Sequence, residues 1–538
     1  MTLCRGIPGL LALLCSIFVL AGCHSRPRAD LIICNGAEPQ SLDPAIISGQ
    51  LEGRLTTALL EGLIRRDARA RPVPGCAEKW TVSPDGRIYT FTLRPNLRWS
   101  NGDPLTAEDY RYSWLRALDP ATGSPYSEIL YFIRGAEDYH SGKLTAPSVG
   151  IQAVDTRTLR VELIHPTPFF PALTSFTTYL PVHRQTVEKY GDRWTRPENW
   201  VGNGPYRLLD WKINDRVSLE RNPLYHTPDR VALNRIDALA VNRASTAFNL
   251  YSGGQADVLL DKGLIPSLIL PELRGRTDFH PGPLLATYFY RFQVTRPPFN
   301  DARIRRAFAI ALDKEAITDK ITRGNEPVAT ALCPRGMADY QPPEGLSSDP
   351  DTARGLLAQA GFPNGKDFPR VSLLYNKSEL NEQLAIEIQA QWKRELGVTV
   401  ELRNQEWATY LRSLDELDFD IARSSWVGDY DDPNTFLDCF VTGRGNNRTG
   451  WSNPTYDSLL ASALAEPNPA HRLQLMQQAE TILVTQALPI IPIYHFIGCL
   501  MFDPTKWAGL YPNLLDDHPF SEIKRSLNPK SIEFKNNR

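Results

Sequence analysis

Neither sign of charge is in surplus: 59 Lys and Arg face 61 Asp and Glu, a net charge of −2 at pH 7. So balanced a chain has no basic footprint for nucleic acid and none for an anionic membrane surface. The signatures of common catalytic sites are missing too, so no enzyme activity is expected. There is no HExxH and no GxSxG, and the glycine-bearing stretch Gly361 to Lys366 lacks the spacing of a phosphate loop. The nine histidines are scattered and the cysteines include no CxxC pair, so neither a metal site nor a cofactor is expected. Forty-three prolines and 11 tryptophans suit a loop-rich surface and aromatic-lined pockets rather than a helical bundle. A length of 538 residues exceeds one hydrophobic core and predicts two or three domains.

Arg5 precedes an apolar run from Ile7 to Val19 that closes on Leu20-Ala21-Gly22-Cys23. The run is too short for a comfortable membrane span and reads as a signal peptide over 1–22. The closing tetrapeptide resembles the bacterial lipobox, whose cysteine is acylated. That implies a lipid on Cys23, a polar tether over 23–30 and a body in the periplasm or cell envelope, anchored to a membrane. Cys4 and Cys15 leave with the signal. Five cysteines remain, Cys34, Cys76, Cys333, Cys439 and Cys499, which leaves at least one free thiol and room for one or two disulfides.

The stretch from Phe419 to Phe436, FDIARSSWVGDYDDPNTF, concentrates the chemistry. Phe419, Ile421 and Ala422 read as the end of a strand, followed by Arg423, Trp426, Gly428, Asp429 and a turn at Asp431-Asp432-Pro433-Asn434. An acid there suits an ammonium, a flat aromatic covers an apolar side chain, and a glycine lets another backbone approach. The alternative is a surface turn after an edge strand. Elsewhere, Leu55 to Ile64 has helical spacing and Ile88 to Leu93 alternates as a strand. Thr106 is a fair helix N-cap, with Tyr110 and Trp114 on one face. Asp301 caps a helix through Ile304, Ala307, Phe308 and Ala311; Glu379 to Glu395 is another, ending at Gly397. Val398 to Leu402 alternates, and Leu464 to Thr485 carries a further helical pattern. Strands and helices alternate without a repeat, which predicts α/β lobes.

The run Ala77 to Tyr110, A-E-K-W-x(4)-D-G-x-x-Y-T-F-x-L-R-x(4)-W-S-x-G-x-P-L-T-A-E-D-Y, resembles the signature of the family 5 extracellular solute-binding proteins. Collinear matches follow at Glu38 to Pro44, Asp119-Pro120 to Ser124-Pro125-Tyr126, Asn203 to Tyr206, Pro297 to Arg305 and Asn404 to Trp407. They are most similar to the oligopeptide-binding branch. The resemblance implies an α/β, periplasmic-binding-protein-like fold of two hinged lobes with an extra α+β domain inserted near the N-terminus. Carried over, the first lobe comprises 31–62, 186–285 and 495–538, the inserted domain 63–185 and the second lobe 286–494. Crossovers are expected near Leu285-Ala286 and Ile493-Tyr494. The implied function is the extracytoplasmic peptide-binding component of an ABC importer, a monomer that delivers short peptides to a permease driven by separate ATPases. The runners-up are a binder of dipeptides, murein peptides or a metal chelate, and a surface receptor that reuses the fold.

Within that branch the acid of W-x-x-D takes the ligand's α-ammonium, a position held here by Asp429. Trp407, Trp426 and Tyr126 match pocket aromatics, with core packing as the other reading. Arg423 matches a cation for ligand carboxylates or pairs internally with Asp420 or Asp431. Ligand backbone pairing is expected from Ser424, Ser425, Trp426, Val427 and Gly428 and from the facing crossover Thr287-Tyr288-Phe289-Tyr290. The chain also departs from its relatives. Arg291 replaces an acid, Asn381 stands where some have His, and Leu414 where some have Arg, with Arg412 two residues away. Cysteines bridged across the hinge in some relatives align with Ala286 and Val427. The exchange at Arg291 predicts a preference for an acidic peptide or a free C-terminus.

Overall fold

A computed structural model describes residues 27–526 apart from 338, 444 and 445, with the backbone alone at 407 and 408. Cys23 and the signal peptide lie outside the described residues. No helix among the described residues is long and apolar enough to cross a membrane.

Two long strands, Phe279–Phe292 and Ile490–Phe502, join the halves of the molecule. They pair antiparallel in two runs, Phe279 to Pro283 against Ile497 to Met501 and Thr287 to Arg291 against Ile490 to His495, with the register broken between. The break falls between Pro283 and Thr287, just after Pro281 and Pro283, two residues that have no backbone donor to give the ladder. On one side the ten-stranded mixed sheet continues through Val258–Leu259, Leu31–Gly36, Arg235–Ala240, Arg216–Arg221 and Tyr206–Lys212. On the other it continues through Ile421–Val427, Val371–Asn376 and Val400–Gln405. The fold is therefore two α/β lobes joined by crossing strands. Leu285 to Phe292 is buried throughout, so the second run has core on both faces.

The Ala77–Val82, Ile88–Leu93, Ile151–Ala153 and Thr158–Glu162 strands form a separate four-stranded sheet. It carries no core of its own: Phe91, Trp114 and Tyr179 pack into one apolar cluster with Leu31, Leu55 and Tyr206 of the first lobe. The helix Ala107–Leu118 anchors that cluster. Thr106 and Asp109 make a capping box at its start, and Trp114 Nε1 donates to Tyr179 O at 2.8 Å. In the second lobe, Ala302–Ile310 and Glu379–Leu396 cover one face of the sheet, while Pro454–Ala465 and Pro469–Thr481 cover the other.

Some expected boundaries move. The helix expected from Leu55 to Ile64 runs instead from Gln50 to Leu59, because Leu60 is extended and Gly204 N–H takes the Leu59 carbonyl at 3.0 Å. The pattern from Leu464 to Thr485 divides at Asn468-Pro469, where Asn468 caps a new helix. Asp301 and Gly397 act as read, the first accepting from Arg303 N–H and the second closing its helix at φ 73°. All five described cysteines are free and buried, so no disulfide contributes.

Candidate functional site

A cavity of about 580 Å³ lies between the lobes. Its walls come from the first turns of the Gln50–Leu59 helix, from the loops carrying Tyr126 and Phe176, and from the end of the Ile421–Val427 strand with the turn after it. That strand runs further than the sequence suggested. Arg423 to Val427 belong to the strand itself, paired with Ala286 to Tyr290, and Ala286 sits directly opposite Val427. On the far edge the Val371–Asn376 strand reaches only Ile421 and Ala422, and past them no described strand pairs with Arg423 to Val427. Tyr410 takes one carbonyl there through its hydroxyl, at Arg423 O. Ser425, Trp426 and Val427 line the cavity, and the indole Nε1 of Trp426 is a buried donor with no partner.

Gly428 turns the chain out of the sheet. Its N–H donates to Leu285 O at 2.7 Å, and a Cβ would meet Phe436 at 3.0 Å, Thr435 at 3.2 Å and Leu285 at 3.3 Å. The glycine is therefore required by close approach rather than by an unusual φ. Asp429 follows, half-buried, with its N–H on Thr435 Oγ1 at 3.0 Å and its carbonyl on Arg66 Nη2 at 3.0 Å. Its carboxylate faces the cavity and takes no hydrogen bond from any described side chain. Burial pushes it up to about 7, against the pull of the Arg66 guanidinium. Tyr126 lines the same cavity, its phenol pushed up by the Asp429 carboxylate and by burial, and its ring packs on Phe176 at 5.4 Å.

The other expected residues lie outside this wall. Tyr288 and Phe289 are buried in the cores on opposite faces of the sheet, and both edges of their backbone are taken by neighbouring strands. Thr287 to Tyr290 therefore has no free edge to offer a ligand, because each peptide group bonds only once on each side. Asn381 accepts from the Tyr288 hydroxyl at 3.2 Å, inside the same core. The Arg423 guanidinium lies over the Tyr288 ring, 4.9 Å from its centre, whereas Asp420 pairs with Arg296. Arg291 sits one layer behind the cavity, donating to Ser424 Oγ at 2.7 Å and to the carbonyl of Asn446, which does line it. Burial pushes that guanidinium down to about 10. Trp407 heads the Trp407–Asp415 helix, and its side chain lies outside the described residues.

The sequence reading missed Arg54 and Arg66, which both line the cavity. Arg66 stands in the short Ile64–Arg66 strand and ties Asp429 O to Asp517 and Ser175. No local pattern marks either arginine, since their neighbours come from segments hundreds of residues away. One polar cluster does gather metal-ligand types: Glu61, Cys76 and His226 hold ligand atoms within 4.8 Å of one another. His226 Nε2 and the Tyr225 hydroxyl already occupy the two Glu61 oxygens, and Asn203 bonds the Glu61 backbone. That cluster ties the Asn203-to-Tyr206 motif to Glu61 and to Cys76.

Two lobes, a hinge of paired strands and a cavity between them define a ligand-binding protein of the periplasmic type. Residues 71–448 match the family described as bacterial extracellular solute-binding proteins, family 5, and the chain belongs to that family. It is 36% identical over 499 residues to the oligopeptide-binding protein OppA of Bacillus subtilis, covering 91% of each chain. Among solved structures it is similar to the periplasmic oligopeptide-binding protein OppAIV of Borrelia burgdorferi, with 34% identity and a TM-score of 0.85 over 93% of this chain and 100% of that one. It is also similar to Haemophilus influenzae OppA in complex with the peptide RPPGFSPFR, with 32% identity and a TM-score of 0.83 over 93% and 100%.

Proposed function

We propose that this protein is the peptide-binding component of an ABC importer, anchored outside the cytoplasm by a lipid on Cys23. A short peptide enters the open cleft, the lobes close on it, and the closed complex docks on a permease driven by separate ATPases. The observation that carries this reading is Asp429. An acid facing a cavity with no donor of its own is a poor surface-turn residue and a good partner for an α-ammonium, because an unpaired buried charge is costly. Beside it, the unpaired edge of Ser425 to Val427 offers backbone groups to an extended peptide, and Trp426 Nε1 offers a donor. Tyr126 and Phe176 supply apolar walls that suit varied side chains.

Native mass spectrometry of protein purified without refolding tests the proposal. The expected result is a ladder of co-purified short peptides that Asp429→Ala largely loses. A protein that carries a single non-peptide mass, or peptides retained unchanged by the variant, would overturn it.

A further inference from the structure

Arg54 is the least satisfied charged group in the cavity wall. It projects from the first turns of the Gln50–Leu59 helix, and its side chain is only 4% exposed. None of Nε, Nη1 or Nη2 has a hydrogen-bond partner. Two carboxylates flank it, Asp261 at 3.6 Å and Asp516 at 4.0 Å from Nη2. Those distances hold the guanidinium by charge without filling its donors. Each acid has work elsewhere: Asp261 accepts from Gly263 N–H at 2.7 Å, and Asp516 pairs with His518 at 3.0 Å.

Five buried N–H donors without acceptors are costly in a native structure, and a guanidinium fork matches a planar carboxylate with two parallel bonds. The helix terminus beside it already holds an acid, since the Glu52 carboxylate lies against Gly49 at the N-cap, so the unfilled donors on this wall are those of Arg54, with Ser48, Gly49, Gln50 and Gly53 lining the cavity next to it. Charges then alternate along one wall: Asp429, Arg66 bonded to it and to Asp517, Asp516 beside that, and Arg54. A cavity lined by an acid without a hydrogen-bond donor and by a guanidinium without a hydrogen-bond acceptor suits a ligand that carries both charges.

We propose that Arg54 selects ligands bearing a carboxylate, which it binds by a bidentate pair in the cavity that Asp429 also lines. The proposal rests on the peptide reading above. The carboxylate is either the peptide's C-terminus or an acidic side chain, and both present the same planar anion.

Isothermal titration with four alanine-based pentapeptides separates these sources: free acid or C-terminal amide, each with Glu or Gln at one inner position. Wild type is compared with Arg54→Gln and with Arg54→Lys, which keeps the charge but not the fork. Removing a charged hydrogen-bonded pair should cost about tenfold or more in affinity. The expected result is that Arg54→Gln weakens by that factor the two peptides that share the recognised carboxylate and leaves the two that lack it within about twofold, with Arg54→Lys between. Loss confined to the free-acid peptides assigns the C-terminus; loss confined to the Glu peptides assigns the side chain. If wild type binds and Arg54→Gln weakens all four peptides alike, or none, this inference is overturned while the peptide reading stands. If folded wild type binds no peptide, the peptide reading itself falls and takes this one with it.

Discussion

At the scale of single residues the proposed function turns on one carboxylate. Asp429 is held near neutrality by burial, up to about 7, so its charge is conditional until a cation arrives. Binding a peptide ammonium requires the ionised form. Below pH 7 affinity should fall by about tenfold per pH unit, and it should fall again above about pH 8, where a free α-amino group loses its proton. Titration calorimetry from pH 5 to 9 checks this; Asp429→Asn should bind weakly at every pH and lose the acid limb. The same shift has a consequence for stability. The folded-state value lies above the ordinary carboxylate value, so the folded chain holds the proton more tightly. Stability should then decline as pH rises through the window between about 4 and 7. Thermal melts of ligand-free protein should find Asp429→Asn more stable than wild type at pH 8 and nearly equal at pH 4. Equal melts at both would mean that the carboxylate is not desolvated.

At the scale of elements, the site is made by where strands stop. The Ile421–Val427 strand outlasts its neighbour Val371–Asn376, and that difference in length leaves the unpaired edge that lines the cavity. Gly428 then lets the turn fold back against Phe436, Thr435 and Leu285, each within 3.3 Å of a hypothetical Cβ. Gly428→Val should destabilise the protein by about 1–3 kcal/mol through overpacking and should weaken binding as Asp429 is displaced; urea titration and calorimetry read the two effects. No residue of the helix Ala107–Leu118 lines the cavity, so its capping box should matter for stability rather than for binding. Thr106→Ala should cost about 1 kcal/mol in urea unfolding and leave affinity unchanged. The capping Thr106, the Asp301 cap and the Gly397 stop were all legible in the sequence, because each is a local exchange between a side chain and a backbone group a few residues away.

At the scale of the whole molecule, a few contacts across the cleft hold the lobes together. The Phe169 ring stacks on Tyr430 with centres 4.7 Å apart and planes 9° apart, and the Arg472 guanidinium, paired with Asp432, lies over the Phe169 ring 5.5 Å from its centre. Arg66 adds the bond to Asp429 O. These contacts exist only when the lobes meet, so they bias the hinge toward closure before any ligand binds. Phe169→Ala should enlarge the radius of gyration of the ligand-free protein in solution scattering. It should weaken peptide affinity by the factor through which the closed population falls. An unchanged scattering curve would show that the stack contributes nothing to closure.

The sequence alone determined the class of fold, the family and the place of Asp429, Trp426 and Gly428, since these rest on ordered motifs and on short-range periodicity. It also put Ala286 and Val427 at matching positions, and the ladder sets them face to face. Tertiary structure decided which residues meet the cavity. Tyr288, Phe289 and Asn381 share the apolar or polar character of ligand-wall residues, yet the second neighbour of the Phe279–Phe292 strand closes over that backbone. Arg291 and Arg423 looked equally suited to a carboxylate, but Ser424 and the Tyr288 ring take them up behind the wall. Arg54 and Arg66 entered the site because a helix and a short strand from the first part of the chain face a turn more than 350 residues later. A side chain's local pattern sets its element; what it finally touches is set by which distant segment packs against that element.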